Sequence, residues 1–360
     1  MTATCELSRY DDPEVESAGE MLIFNPDGGS VGMLTTTRTV FSGGNQELNT
    51  AFFKTVLDED SGTGQLRCLG DICKDTKNSP DVTSVTNMRN FSLLGDPAML
   101  LAYPAYNVFF TEIPDTIRSL DLVKMRGYVG TSSGDTLEEF NGQIYPTVFD
   151  KRSEFSTLDN DDVAGEFNYT MYRNVIHKGL ASVVNGIFEF EFVVPRDIDY
   201  TYGNGRVSCY AISENNETKT DAHGASEEFI IGGTSSSLSI DDLGPQVSLY
   251  MNDSLFIEGG VTSEDPWLYA RVFDESGINT VGNGIGHDIT AILDGNSSEP
   301  FILNDYYVSD LDSYQSGEIR FQFEALEKGR HTLEFKVWDV NNTWLFDTNS
   351  SASGSVVVLI

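Results

Sequence analysis

The chain is poor in positive charge, cysteine and histidine, and it has no long apolar run. Its 22 lysines and arginines stand against 56 aspartates and glutamates, a formal net charge of −34. Such a surface repels phosphate backbones and anionic lipid headgroups, which argues against nucleic acid as a partner. It fits solubility in a salty or calcium-rich exterior, with a dedicated acidic binding face as the alternative. The four cysteines, Cys5, Cys68, Cys73 and Cys209, are too few for a disulfide-stapled scaffold. Cys68 and Cys73 are spaced to bridge, but C-x4-C matches no common zinc pattern. No stretch nears the roughly 18 apolar residues of a membrane span. Phosphate-cradling glycine loops and basic aromatic patches are also missing, which removes nucleotide chemistry from consideration.

What is present points to several β-rich domains. A chain of 360 residues exceeds one ordinary domain, so two or three are expected. Its 33 glycines, with many Asn, Asp and Ser, supply frequent turns. Residues 1–103 read as α/β. Ser17-Ala18-Gly19-Glu20 is a capping box before a short helix. Ser30 to Thr37 is a mostly apolar, β-branched run of the kind buried in a parallel sheet. Asn45 to Leu57 places Leu48, Ala51, Phe52 and Val56 at helical spacing, and a further helix is expected over Leu66 to Lys77. Strand, loop and helix in this order imply a parallel sheet layered by helices.

The pattern changes near Tyr103-Pro104. Between there and Thr234 the expected strands include Asn107–Thr111, Leu120–Val129, Gly142–Phe149, Ala181–Val194 and Arg206–Ile212. Ile187 to Phe192 alternates apolar and acidic residues with period two, and Asn185-Gly186 and Asn204-Gly205 are turn signals. An antiparallel sandwich is expected for 104–234. Gly232 to Ser237 reads as a linker. A second β module over 235–360 has expected strands at Gln246–Tyr250, Trp267–Phe273, Ile289–Leu293, Gly317–Phe323 and His331–Trp338. The start lacks a basic and an apolar leader segment, which taken alone would indicate a cytoplasmic protein. Taken with about 100 residues and some two strands, too few to close a parallel α/β core, it leads to the expectation that the chain is part of a longer protein.

Candidate chemistry centres on Cys5. The run Thr2-Ala3-Thr4 ending in Cys5 suits a nucleophile at the carboxyl edge of a parallel strand, where the side chain enters a crevice. The thiol needs a base to become a thiolate, and a free cysteine is otherwise a small buried hydrophobe. The four histidines, His177, His223, His287 and His331, all lie outside the α/β part. Acid-rich loops at Asp159–Asp162, Asp241-Asp242 and Asp305–Asp312 offer oxygen ligands suited to calcium, but none has EF-hand spacing, and ordinary loop solvation is the favoured reading. No other cofactor is expected.

Six stretches bear a family resemblance. Thr2-Ala3-Thr4-Cys5-Glu6-Leu7-Ser8 resembles the nucleophile segment of gingipain-type cysteine peptidases, most closely the sortase-like branch that serves type IX secretion. Leu34-Thr35-Thr36-Thr37-Arg38 and Asn90-Phe91-Ser92-Leu93-Leu94-Gly95-Asp96-Pro97 are similar to segments of the same catalytic domain. Asn279 to Asp288, running on to Asp294-Gly295, with Asn304-Asp305-Tyr306-Tyr307 and Gly329-Arg330-His331-Thr332-Leu333, resembles Ig-like modules downstream of it. The resemblance implies a partial caspase-like α/β domain over 1–103, followed by two Ig-like antiparallel sandwiches at 104–234 and 235–360. It implies a cysteine endopeptidase with Cys5 as nucleophile, located at the outer membrane or cell surface. Its partners would be secreted cargo with carboxy-terminal sorting domains, which it would remove before surface attachment, and other secretion components. The family's catalytic histidine precedes the nucleophile, so residues 1–360 are expected to be inactive alone. The rival readings are a non-catalytic surface protein that binds through its Ig-like modules, and a degenerate peptidase kept as a scaffold.

Overall fold

The computed structural model describes every residue except 3, 59–65, 161–164, 216–217, 236–240, 242, 281–285, 344–354 and 360. It is mostly β with few helices, and among the described residues no helix is long and apolar enough to cross a membrane. Two units separate, Met1–Tyr103 and Pro104–Ile360.

The first unit runs α1 (Ala18–Phe24), β1 (Gly32–Thr36), α2 (Ser42–Val56), α3 (Leu69–Asn78), α4 (Val85–Asn90) and β2 (Phe91–Gly95). The start of α1 is set by Ser17, whose backbone N–H and hydroxyl both donate to the Glu20 carboxylate, at 2.9 and 2.7 Å. Leu48 and Ala51, one turn apart on α2, bury against Leu34 of β1 and Phe91 of β2. Leu48 and Phe91 are fully buried, each worth about 1.5–3 kcal/mol relative to exposure.

The expected parallel sheet is corrected here. β1 and β2 pair antiparallel, from Gly32 opposite Gly95 to Thr36 opposite Phe91. The reason is local: β2 starts at the residue after α4 ends, so the chain re-enters the sheet with no crossover to restore its direction. Thr2 and Thr4 also lie beside β1: Thr2 N–H donates to Leu34 O at 3.0 Å, and Thr36 Oγ1 donates to Thr4 O at 2.6 Å.

The second unit has two cores. Around the first lie β3 (Tyr106–Glu112), β4 (Thr116–Ser119), β5 (Leu122–Gly130), β6 (Gly142–Phe149), β7 (Ser153–Ser156), β8 (Asn168–Met171), β9 (Val175–Lys178), β10 (Ala181–Val184), β11 (Ile187–Val193), β12 (Gly203–Asn204), β13 (Arg206–Asn215), β14 (Thr218–Ser226) and β15 (Ile230–Thr234). The sandwich expected for 104–234 is corrected to a closed sheet. Its order is β10-β11-β5-β3-β14-β13-β6-β9, and β10 also pairs with β6. Seven strands therefore form a ring, because β9 and β10 divide one edge of β6 between Thr147–Phe149 and Gly142–Ile144. Closure removes exposed edge groups that an open sandwich would leave. One pair, β3 with β14, is parallel. The alternation in β11 places Phe188, Phe190 and Phe192 inside and Ile187, Glu189 and Glu191 outside, where Glu189 pairs with Lys124 and Arg126. The expected linker is also corrected: Gly232-Gly233-Thr234 belongs to β15, between β12 and β4, at a register shift. Gly233 has φ +77° there, and a Cβ on it would meet the Tyr202 hydroxyl at 2.5 Å. Residues 236 and 237 of that stretch lie outside the described residues.

The second core lies between two four-stranded antiparallel sheets. One has the order β16 (Gln246–Met251), β17 (Trp267–Phe273), β21 (Ser316–Gln322), β20 (Tyr307–Ser309). The other has β19 (Phe301–Ile302), β18 (Thr290–Leu293), β22 (Arg330–Lys336), β23 (Ser355–Leu359). Leu268, Ala270 and Ile319 from one sheet meet Ala291, Leu333 and Phe335 from the other. Trp338, expected inside a strand, lies two residues past β22 but is buried, with the His287 ring 4.4 Å away and Lys336 Nζ 4.4 Å above it.

Candidate active site

Thr2 and Ser8, on either side of Cys5, are tied to β1: Thr2 Oγ1 is 2.8 Å from Thr35 Oγ1, and Ser8 N–H donates to Thr36 O at 3.0 Å. Between these ties the chain bends sharply, with Glu6 at φ +55°. No strand precedes Cys5 among the described residues, so the expected strand-end setting is corrected to a bend beside β1. The Cys5 thiol is exposed, with Sγ 3.6 Å from Val40 O. An exposed thiol is open to attack a carbonyl, given a base.

The wall facing Cys5 is the loop from Thr37 to Phe41, and α4 holds it at both ends. Thr37 N–H donates to Asn90 O at 2.9 Å, and Asn90 Nδ2 donates to Thr39 O at 2.9 Å. Asn87 is completely buried. Its Nδ2 donates to Phe41 O and to Asn45 Oδ1, both at 2.9 Å, while its Oδ1 accepts from Phe41 N–H at 3.1 Å and from Ser84 Oγ at 2.9 Å. Asn87 was not legible as a site-supporting residue, since nothing in its neighbourhood marks it as turning back onto a loop 46 residues away. Asn90 falls inside a family-like segment and was. Arg38, on the same loop, forms a two-pronged ion pair with Asp11.

Residues 1–103 contain no histidine. His177 is buried in the ring-shaped sheet, His287 Nδ1 is 2.5 Å from Asp197, and His331 Nδ1 is 2.7 Å from Asp294. Bonds from Glu327 O and Asp294 hold the His331 imidazole above its ordinary pKa. Each is engaged within the second unit. Cys68 and Cys73, considered as a bridging pair, are both free. Cys68 caps α3 with Sγ 3.4 Å from Asp71, whereas Cys73 is half-buried and burial pushes its thiol up. Burial also raises Cys209.

The acid loops do not converge. Asp305 pairs with Lys178 at 2.7 Å, Asp310 with Arg271 at 3.0 Å, and Asp312 accepts from Ser182 N–H at 2.7 Å. Of Asp159–Asp162, positions 161 and 162 lie outside the described residues, as does Asp242. Asp241 is the exception: it meets two aspartates that its sequence neighbourhood does not suggest.

Residues 1–102 match Peptidase family C25. The match ends one residue before the boundary of the first unit, so the C25 segment and the unit carrying Cys5 coincide. Among solved structures, the chain is similar to dimeric latent PorU from Porphyromonas gingivalis, at 30% identity over 82% of this chain, with a TM-score of 0.43. It spans 28% of that chain. Red sea bream transglutaminase aligns at 9% identity over 71% of this chain and 31% of its own, with a TM-score of 0.22. No curated protein matches.

Proposed function

We propose that the chain is the carboxyl-side part of a C25 cysteine endopeptidase, with Cys5 as its nucleophile, acting as a sortase in type IX secretion. The supporting observation is the coincidence of the C25 match with the unit that presents Cys5 exposed at the edge of β1. The Cys5 thiolate attacks the scissile carbonyl carbon, the peptide C–N bond breaks, and the amine leaves with a proton. The thioester is then resolved by water, or by an amine at the cell surface. Because residues 1–103 hold no imidazole, an imidazole base for Cys5 would come from outside that unit. Removal of carboxy-terminal sorting domains from secreted cargo, an extracytoplasmic location, and a role for the following β modules in positioning cargo complete the reading.

The test is the Cys5→Ala substitution in the complete protein. Cleavage of a peptide spanning a sorting-domain junction should fall on the order of 10⁴-fold or more, as expected for removal of a nucleophile. Wild-type-like turnover in Cys5→Ala would refute the assignment.

A further inference from the structure

A second cluster of functional side chains lies in the sandwich around the second core, and it is independent of the Cys5 reading. Asp241 precedes β16, Asp274 follows β17 directly, and Asp339 lies three residues past β22. A carboxylate oxygen from each lies within 4.8 Å of the other two. Asp274 and Asp339 are buried, at 4% and 0% exposure. Three like charges at this spacing, two of them out of water, repel strongly unless something neutralises them.

The protein's own donors do not complete the job. Asp274 Oδ1 accepts from Ser276 N–H at 2.8 Å and Gly277 N–H at 3.2 Å. Asp241 accepts from Leu243 N–H at 3.0 Å and from the Ser276 hydroxyl. Asp339 Oδ1 accepts from Thr343 N–H at 2.5 Å, but Asp339 Oδ2 is buried with no hydrogen-bond partner. A fully buried carboxylate oxygen without a donor is a costly group. Among the described residues, the formal charges acting on Asp274 and Asp339 are other carboxylates, not cations. With burial, that repulsion pushes Asp274 up to about 6 and Asp339 up to about 7.

We propose that Asp241, Asp274 and Asp339 bind a calcium ion. The donor set is oxygen only, which suits a hard cation and not zinc or copper. The three residues come from three separate loop segments outside the strands, and such a set adapts to the irregular six- to eight-oxygen shell of calcium more readily than to the strict octahedron of magnesium. The ion would tie down the turn 339–343. That turn carries Val340, whose carbonyl accepts Arg196 N–H at 2.8 Å from the segment after β11. Calcium at this point would therefore stiffen the junction between the two β cores.

The experiment is calorimetric titration of the metal-free chain with CaCl₂, with thermal melts at each concentration. Binding with a Kd on the order of 10⁻⁴–10⁻³ M, as for extracellular calcium modules, is expected. At 100 times Kd the folded-to-unfolded ratio should rise about 100-fold and the melting temperature with it. Asp339→Asn should abolish the calcium response while melting above the wild type when both are metal-free, because it removes a buried, unpaired charge. Asp241→Asn, at the less buried ligand, should weaken binding without loss of fold. Absence of any calcium-dependent heat or melting shift up to 10 mM, or an unchanged response in both variants, would overturn the proposal, as would a response to magnesium equal to that to calcium.

Discussion

His177 makes the stability of the ring-shaped sheet pH-dependent in a way that can be isolated. It lies on β9 opposite Val148 of β6. Its ring stacks on Phe192 at 4.4 Å and 7°, with Phe190 at 6.3 Å. Burial in this aromatic stack holds the imidazole neutral down to about pH 3, against an ordinary value of 6.5. Below pH 6.5 the unfolded chain takes up a proton that the native state refuses. The unfolded state therefore binds more protons between pH 3 and 6.5, so stability rises with pH across that window and is flat in this respect above it. Each pH unit well inside the window is worth about 1.4 kcal/mol and half that at 6.5 itself, which gives about 2 kcal/mol between pH 6.5 and 4.5. The assay is hydrogen exchange read by mass spectrometry on peptides covering β6 and β9, corrected for intrinsic exchange rates. His177→Leu keeps an apolar side chain of similar size but cannot titrate. The wild type should lose about 2 kcal/mol more protection than the variant between pH 6.5 and 4.5. Carboxylates that also titrate cancel in this comparison. Parallel profiles for the two proteins would refute the reasoning.

Two further outcomes follow from buried side chains. Asn87→Ala removes four hydrogen bonds and strands the Phe41 N–H, while the Phe41 carbonyl keeps the Asn45 N–H, so the first unit should lose about 2–3 kcal/mol in a thermal melt. Selective alkylation of Cys5 should change rate in the same variant as its facing loop loosens. Trp338→Ala should destabilise the two-sheet module by about 3–5 kcal/mol, measured by denaturant unfolding. A shift under about 0.5 kcal/mol in either protein would mean that the residue is not part of the core or clamp described.

The elements read from sequence are those whose signal is local. The Ser17–Glu20 cap, the 3.6-residue spacing on α2 and the alternation of Phe188, Phe190 and Phe192 each depend on residues close along the chain. β2 was missed because Phe91-Ser92-Leu93-Leu94-Gly95 is short and follows α4 without a turn signal. The parallel sheet was misjudged because strand direction depends on where the chain returns, which helices of ordinary length do not encode. Ring closure turns on three residue pairs between β10 and β6, and no periodicity distinguishes strands that close a sheet from strands that end it.

The same division holds at the two sites. The sequence alone determined that Cys5 ends a strand-like run in a C25-like segment, since the motif is contiguous, and that acid is abundant enough for a cation site. Only the tertiary structure decided that the Cys5 thiol is exposed opposite a loop clamped by Asn87 and Asn90. It alone decided which aspartates meet: Asp241, in the loop between β15 and β16, Asp274, just after β17, and Asp339, just past β22, are far apart in sequence and close in the fold. Close approach of like charges is costly in the folded state and invisible in the extended chain, so a pattern of acidic residues cannot reveal it until the strands are paired.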